Sequence, residues 1–330
     1  MIELLSLPFM QRALLAALLS GLVAPAIGMY IVQRKLSLLG DGLGHVAIMG
    51  VGLAFLTGTA PLPTAVVTCV VGAVAVELLR QRGTATGDLG LAILFYGGIA
   101  SGVMMAGIAG QGAAGLSAYL FGSLTSVSTG DLWAIGILGV VILILTIGLG
   151  PRLFAVAVDE DYARVLGIRV KLLNLLIVVL AAVTVTISMR TVGLLLISAL
   201  MVIPVATSQQ LFIGFKGAFF GAMGVGVLAA LLGTVGSFYI DSATGATIVV
   251  ASIGLLAVSW LVAGPLRRRR NFIPYVEDHP HGAVEHERAE NHDDGHAHEP
   301  GVKVIQHGDH VDYVHGGHRH AVHGDHYDEH

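Results

Sequence analysis

The sequence predicts an all-α integral membrane protein: a polytopic bundle of about eight or nine transmembrane helices with a disordered His-rich C-terminal tail. Three observations lead there. Hydrophobic residues make up 55% of the 330 and charged residues only 12%, against about 25% charged in an ordinary soluble domain. Apolar stretches of near-spanning length recur from Met10 to Gly264. The composition then changes abruptly, because residues 271–330 hold 14 of the 15 histidines and 13 of the 22 acidic residues. With histidine neutral the tail carries −10 and the rest +6, so the overall −4 conceals two unlike parts. We divide the chain into a transmembrane domain, 1–266, and a tail, 267–330.

A spanning helix needs about twenty apolar residues, because hydrocarbon cannot satisfy backbone N–H and C=O groups. The candidates are Met10–Val32, Gly42–Leu56, Leu62–Leu79, Leu89–Gly110, Leu132–Leu149, Leu172–Met189, Val192–Phe212, Gly217–Tyr239 and Gly245–Gly264. The first is too long for a signal-peptide core and no convincing cleavage site follows it, so it is read as a retained span. The second is the weakest. If it enters the bilayer without crossing, the count becomes eight and the N-terminus changes sides.

Threading the nine stretches alternately collects Arg34, Lys35, Arg80, Arg82, Arg152, Arg164, Arg169, Lys171, Lys216 and Arg267 to Arg270 on one side. Only Arg12 and Arg190 fall near the other. The positive-inside rule makes the basic side cytoplasmic, and the tail with it. Localisation in the cell membrane follows, with lipid around the bundle. The small residues Gly97, Gly98, Gly102, Gly217, Gly221 and Gly224 read as helix-packing positions. Pro25 and Pro204 are expected to kink their helices. The polar run Thr207 to Gln210 reads as a solvated tip at the cytoplasmic end, with a gated pathway as the sharper alternative. Cys69, the single cysteine, excludes an intrachain disulfide and reads as a small buried hydrophobe. No internal repeat is identified.

An ionisable group inside a span costs at least about 2.5–3.5 kcal/mol, so Asp41, Glu77 and Asp241 each require a reason. Glu77 has one in Arg80, three residues on. Asp41 and His45 stand four apart on one helix face, so a carboxylate and an imidazole can converge on one cation. The same two residues also admit a structural role, Asp41 as the N-cap of its helix and His45 as a donor to a carbonyl. Carboxylate with imidazole suits Zn(II) or Mn(II). Asp241, between the last two spans on the outer side, is a helix cap or a possible entrance that attracts cations.

Between Val158 and Arg169 the chain is charged and helix-compatible until Gly167, with acids first and basic residues beyond, as a helix dipole prefers. A short helix at the inner surface is expected, docked on a partner or lying at the interface. No Gly-x-x-x-x-Gly-Lys-[Ser/Thr] phosphate loop occurs, so ATP hydrolysis is left to a separate subunit and the chain is not read as an enzyme.

The segment Asp41-Gly-Leu-Gly-His45-Val-Ala-Ile-Met-Gly50 resembles the D-x-x-[SG]-H-x-x-x-x-G motif of the zinc/manganese/iron ABC transporter permease family. Tyr119 to Leu124, Val192 to Thr207 and Gly245 to Val249 agree, and the resemblance covers residues 8–264. It implies a permease that pairs with a second copy, docks a cytoplasmic ABC ATPase dimer and receives divalent metal from an extracytoplasmic binding protein. It further implies that Glu160, Ala163 and Gly167 belong to the coupling helix, and that Asp41 and His45 lie on the metal path. Gly44 departs from the commoner serine, which removes a hydroxyl and keeps both proposed ligands. The metal is then substrate, with no permanent cofactor, and nucleic acid is not a partner.

The tail carries His296-Ala-His298, His318-Arg-His320 and His-Gly-Asp-His twice, at His307 to His310 and at His323 to His326. Low hydrophobicity and high charge predict disorder, and interleaved imidazole and carboxylate predict loose binding of divalent metal. This histidine density tilts the expected substrate toward zinc over manganese, with a manganese or iron importer as the alternative. Two other classes compete. A secondary divalent-metal transporter would place several Asp and His ligands in its spans, and a siderophore or cobalamin permease would not need the Asp41–His45 pair.

Overall fold

The computed structural model describes residues 7–81, 87–123, 127–190, 192–270, 303–307, 310–315, 318–323 and 326–329. Two units separate, Met1–Pro265 and Leu266–His330. The regular elements among the described residues of the first are all helices: α1 (Pro8–Gln33), α2 (Leu39–Thr57), α3 (Pro61–Gln81), α4 (Gly87–Ile108), α5 (Gly112–Phe121), α6 (Thr129–Gly148), α7 (Gly150–Val158), α8 (Glu160–Val165), α9 (Val170–Ser188), α10 (Leu194–Leu211), α11 (Phe215–Ile240) and α12 (Thr244–Arg270).

Among the described residues seven helices are long and apolar enough to cross a membrane: α1, α2, α3, α6, α9, α11 and α12. The apolar parts of α4 and α10, Ala92–Ile108 and Leu196–Leu211, are shorter. All nine predicted stretches carry helix, and seven of them meet spanning length among the described residues, against the expected eight or nine. For α10 the limits are local: Gly193 precedes it with φ +89° and Phe212 ends it in an extended conformation.

Burial separates inner from outer helices. The apolar windows of α1, α2 and α9 are 72%, 72% and 67% buried, whereas those of α3, α6 and α12 are 28%, 22% and 22%. On α6 the exposed residues Trp133, Ile137, Val140, Val141 and Ile144 recur at helical spacing and form one apolar stripe. Such a stripe is a liability in water and costs nothing against lipid tails. Its opposite face, with Ile135, Gly139 and Ile142, packs inward, and Tyr30 of α1 donates to the Thr146 carbonyl at 2.8 Å.

Helix α2 touches α3, α4, α5, α9 and α10. Close approach depends on glycine. A Cβ on Gly98 of α4 would lie 2.7 Å from the His45 carbonyl carbon, and one on Gly102 would lie 2.8 Å from that of Ile48. Gly97 and Gly224 meet nothing, so the packing role holds for only some of the predicted glycines.

In the second unit the strands β1 (Lys303–His307), β2 (His310–His315), β3 (His318–His323) and β4 (His326–Glu329) form an antiparallel meander in sequential order. The expectation of disorder is corrected for these residues. Val304, Val311, Tyr313, Val322 and Tyr327 alternate onto one face of the ladder, a β-branched and aromatic set suited to a pleated surface. The dipeptides between strands, Gly308-Asp309, Gly316-Gly317 and Gly324-Asp325, have the composition of two-residue hairpin turns.

Candidate functional site

Helix α2 begins inside the bundle. Its Gly40 lies against Ser198 and Met201 of α10, and Met201 also abuts Gly28 of α1. Asp41 occupies the first turn, half-buried, while the N-cap residue is Leu38 with no side-chain cap. The capping role is thereby excluded for Asp41. Its Oδ1 instead accepts a hydrogen bond from Ser198 Oγ across the α2–α10 contact.

His45, one turn further along the same face, is 5% exposed. Its Nδ1 is buried with no hydrogen-bond partner among the described residues. The Phe95 ring of α4 stands edge-on to the imidazole with centroids 3.9 Å apart, a closeness that Gly98 permits. A buried polar nitrogen without a partner costs about 1–3 kcal/mol, which makes His45 Nδ1 a candidate contact for a ligand. Gly44, in place of the commoner serine, faces the Leu194 carbonyl at 3.1 Å from an added Cβ, so a side chain there would crowd α10.

A polar network gathers on Glu160, the first residue of α8. Its carboxylate pairs with Arg34 at 3.2 Å, Arg80 at 3.7 Å and Arg164 at 3.5 Å, and accepts from Asn174 Nδ2 at 2.9 Å. Glu77 is buried and held in a fork by Arg80, both bonds 2.9 Å, as the spacing predicts. Arg34, 4% exposed at its side chain, carries a guanidinium pulled below its usual range by burial and further by Arg80, against which Glu77 and Glu160 act. Asp159 caps α8 by accepting from the Asp161 and Tyr162 amides at 3.0 and 2.9 Å. Gly167 follows with φ +75°, ending the element. Ala163 is fully buried, whereas Tyr162, Val165 and Leu166 are exposed.

The polar run of α10 departs from expectation. Thr207 and Ser208 are 1% and 0% exposed: Thr207 bonds the Ile203 carbonyl of its own helix and Ser208 the Ala218 carbonyl of α11, so these two are not a solvated tip, while Gln209 is exposed. Asp241 is exposed and left-handed, φ 53°, at the C-terminal end of α11. It ends that helix through its backbone, whose N–H reaches the Ser237 carbonyl.

Sequence reasoning missed a second network. Asp131 closes a capping box with Ser128 at the start of α6 and pairs with Arg190, whose guanidinium also bonds Tyr119 Oη at 3.2 Å. The Ser-x-x-Asp pattern at Ser128 was a readable signal for it. Ser198 and Phe95 carried none, since both come from helices distant in sequence. Among the described residues no group of three or more His, Cys, Asp or Glu is gathered as a ready metal cage. Six of the predicted tail ligands, His307, His310, His318, His320, His323 and His326, stand on strands, and His296 and His298 lie outside the described residues.

These features define a multi-pass membrane bundle with an interior carboxylate and imidazole on one helix. Residues 6–263 match the ABC 3 transport family, and the chain belongs to that family. It is the permease subunit of an ABC importer for a divalent metal ion. The manganese transport system membrane protein MntC of Halalkalibacterium halodurans is 32% identical over 260 residues, 78% of this chain and 88% of that protein. The high-affinity zinc uptake system membrane protein ZnuB of Haemophilus influenzae is 30% identical, covering 75% of this chain and 95% of its own. Manganese also stands in the names of similar streptococcal permeases. Among solved structures, PsaBC from Streptococcus pneumoniae in complex with Fab superposes with TM-score 0.74 at 27% identity, over 82% of this chain and 98% of that one.

Proposed function

We propose that the chain conducts Mn(II) inward past Asp41 and His45, paired with a second permease copy. A cytoplasmic ABC ATPase dimer drives it, and an extracytoplasmic metal-binding protein supplies the ion. The observation that carries the path is the buried His45 Nδ1 without a partner, one helical turn from a carboxylate inside the bundle. Carboxylate and imidazole are acceptable ligands for Mn(II), and waters or neighbouring backbone complete the shell. Manganese is put first because relatives named for it recur among the similar proteins. Zinc is the second reading, favoured by the tail's histidine density, since imidazole binds Zn(II) far better than Mn(II).

The basic end of the bundle is cytoplasmic in this reading, by the positive-inside rule, and the tail lies there too. Helix α8 then docks the ATPase through Tyr162, Val165 and Leu166, with Ala163 and Gly167 shaping the element and Glu160 tying it to the spans. Asp241 stands at the outer mouth, where its charge attracts cations. The tail, 267–330, buffers the imported ion through His296, His298 and the strand histidines.

The test is uptake of radiolabelled Mn(II) and Zn(II) in cells lacking their own importers. Asp41→Ala and His45→Ala should each reduce uptake at least tenfold while the complex still assembles with its ATPase. Wild-type uptake in both variants would remove the path. Rescue of growth by one metal alone decides between manganese and zinc.

A further inference from the structure

The tail's strands put its histidines in an order that composition alone does not imply. His307 faces His310 across the first hairpin, His315 faces His318 across the second, and His323 faces His326 across the third. Each pair flanks a two-residue connection, and the pattern His-Gly-x-His-x-[Asp/His] repeats: His307 to Asp312, His315 to His320, His323 to Asp328. The third ligand type, Asp312, His320 or Asp328, always stands two residues beyond the second histidine of its pair.

Strand alternation fixes the faces. Asp312 pairs with Ala321 and Ala321 with Asp328, so Asp312 and Asp328 share a face with His307, His310, His323 and His326. Continuing the β2–β3 register two positions sets His310 across from His323, which aligns four histidines in one row over four strands. The middle set takes the opposite face and the opposite end of the sheet, as the Tyr313–His320 and His315–His318 pairs require.

Residues directly opposite on antiparallel strands have Cβ atoms about 4.5–5.5 Å apart, and i, i+2 neighbours share a face. Two imidazoles and a third ligand from such positions suit a tetrahedral ion whose Zn–N bonds are about 2.0–2.1 Å. We propose that the tail is a three-site metal ladder: each His-Gly-x-His hairpin binds one Zn(II)-type ion through its cross-strand pair and the ligand two residues on, the ion drawing the set together. This rests on the reading of the tail as metal-binding and adds that register, not histidine content, makes the sites.

The test measures Zn(II) bound by the full-length protein in detergent, by equilibrium dialysis, relative to a chain ending at Arg270. About three tail ions per chain are expected. The double substitution His310→Val with Val311→His keeps composition and moves one imidazole to the other face; it should lose about one ion. Replacing His281, His286 and His292 by Ala should lose none. Unchanged stoichiometry and affinity in the exchanged variant would overturn the ladder while leaving a metal-binding tail. No more Zn(II) on the full-length chain than on the truncated one would overturn both.

Discussion

Gly98→Ala tests whether the contact between α4 and α2 is as close as the structure has it. The added methyl would lie 2.7 Å from both the carbonyl carbon and oxygen of His45 and 2.9 Å from the Val46 amide nitrogen. All three are backbone atoms of a buried helix, so no rotamer change relieves them and α4 itself must retreat. Overpacking of this kind costs about 1–3 kcal/mol. The helix-propensity gain of alanine over glycine, about 0.8–1.0 kcal/mol, offsets part of it. Gly97→Ala supplies the control, because it earns the same propensity gain and its Cβ meets nothing within 4 Å. The difference between the two variants is therefore the overpacking term, about 2 kcal/mol, or roughly 4–8 °C in thermal unfolding for a domain of this size. Purified protein in detergent, followed by a thermal-shift assay, reads it directly. Metal uptake should fall in Gly98→Ala as well, since Phe95 rides on the same helix against the His45 ring. A Gly98→Ala protein as stable as Gly97→Ala would refute the close packing around His45.

Two further substitutions probe the polar contacts. Ser198→Ala removes the donor to Asp41, and a hydrogen bond to a charged group contributes about 1.5–3 kcal/mol. Uptake should fall several-fold while Ser198→Thr retains most of it, and wild-type transport in Ser198→Ala would show that Asp41 needs no such positioning. Glu160→Gln leaves Arg34 buried without its carboxylate. A loss of about 1–3 kcal/mol in stability is expected, discounted toward the low end because Glu160 is 32% exposed. Thermal unfolding of Glu160→Gln within one degree of wild type would mean that the cluster contributes little.

The helices were legible because lipid imposes a simple rule: every spanning backbone must satisfy itself, so apolar length alone announces it. The Glu77–Arg80 pair was legible for the same local reason, since three residues along a helix fix its geometry. Tertiary partners were not. Asp41 is held by a serine 157 residues away, and Ser208 looks like part of an interfacial tip until its bond to α11 is seen. In the tail, charge and low hydrophobicity argued for disorder, and the valines and tyrosines that pattern one face were too few to outweigh them. The period was nevertheless present in the hairpin dipeptides, where glycine recurs first between paired histidines.

The position of Arg34 gives the candidate site its mechanical interest. Helix α1 ends in a tight turn in which Lys35, φ 58°, and Leu36 return their amides to Val32 and Ile31. A short segment then enters α2, whose first turn carries Asp41. Glu160 grips Arg34 at the start of that segment and also holds Arg80 of α3 and Asn174 of α9. Under the proposed docking role, a push on α8 reaches three helices through one carboxylate, and only the short segment from Lys35 to Leu38 separates Arg34 from α2. Asp41 would then move against Ser198 of α10, a helix that Ser208 ties to α11. Ser198 holds the Asp41 carboxylate across that contact, so under the proposed path and docking role, freeing Asp41 for the metal and transmitting the docking motion would draw on the same hydrogen bond.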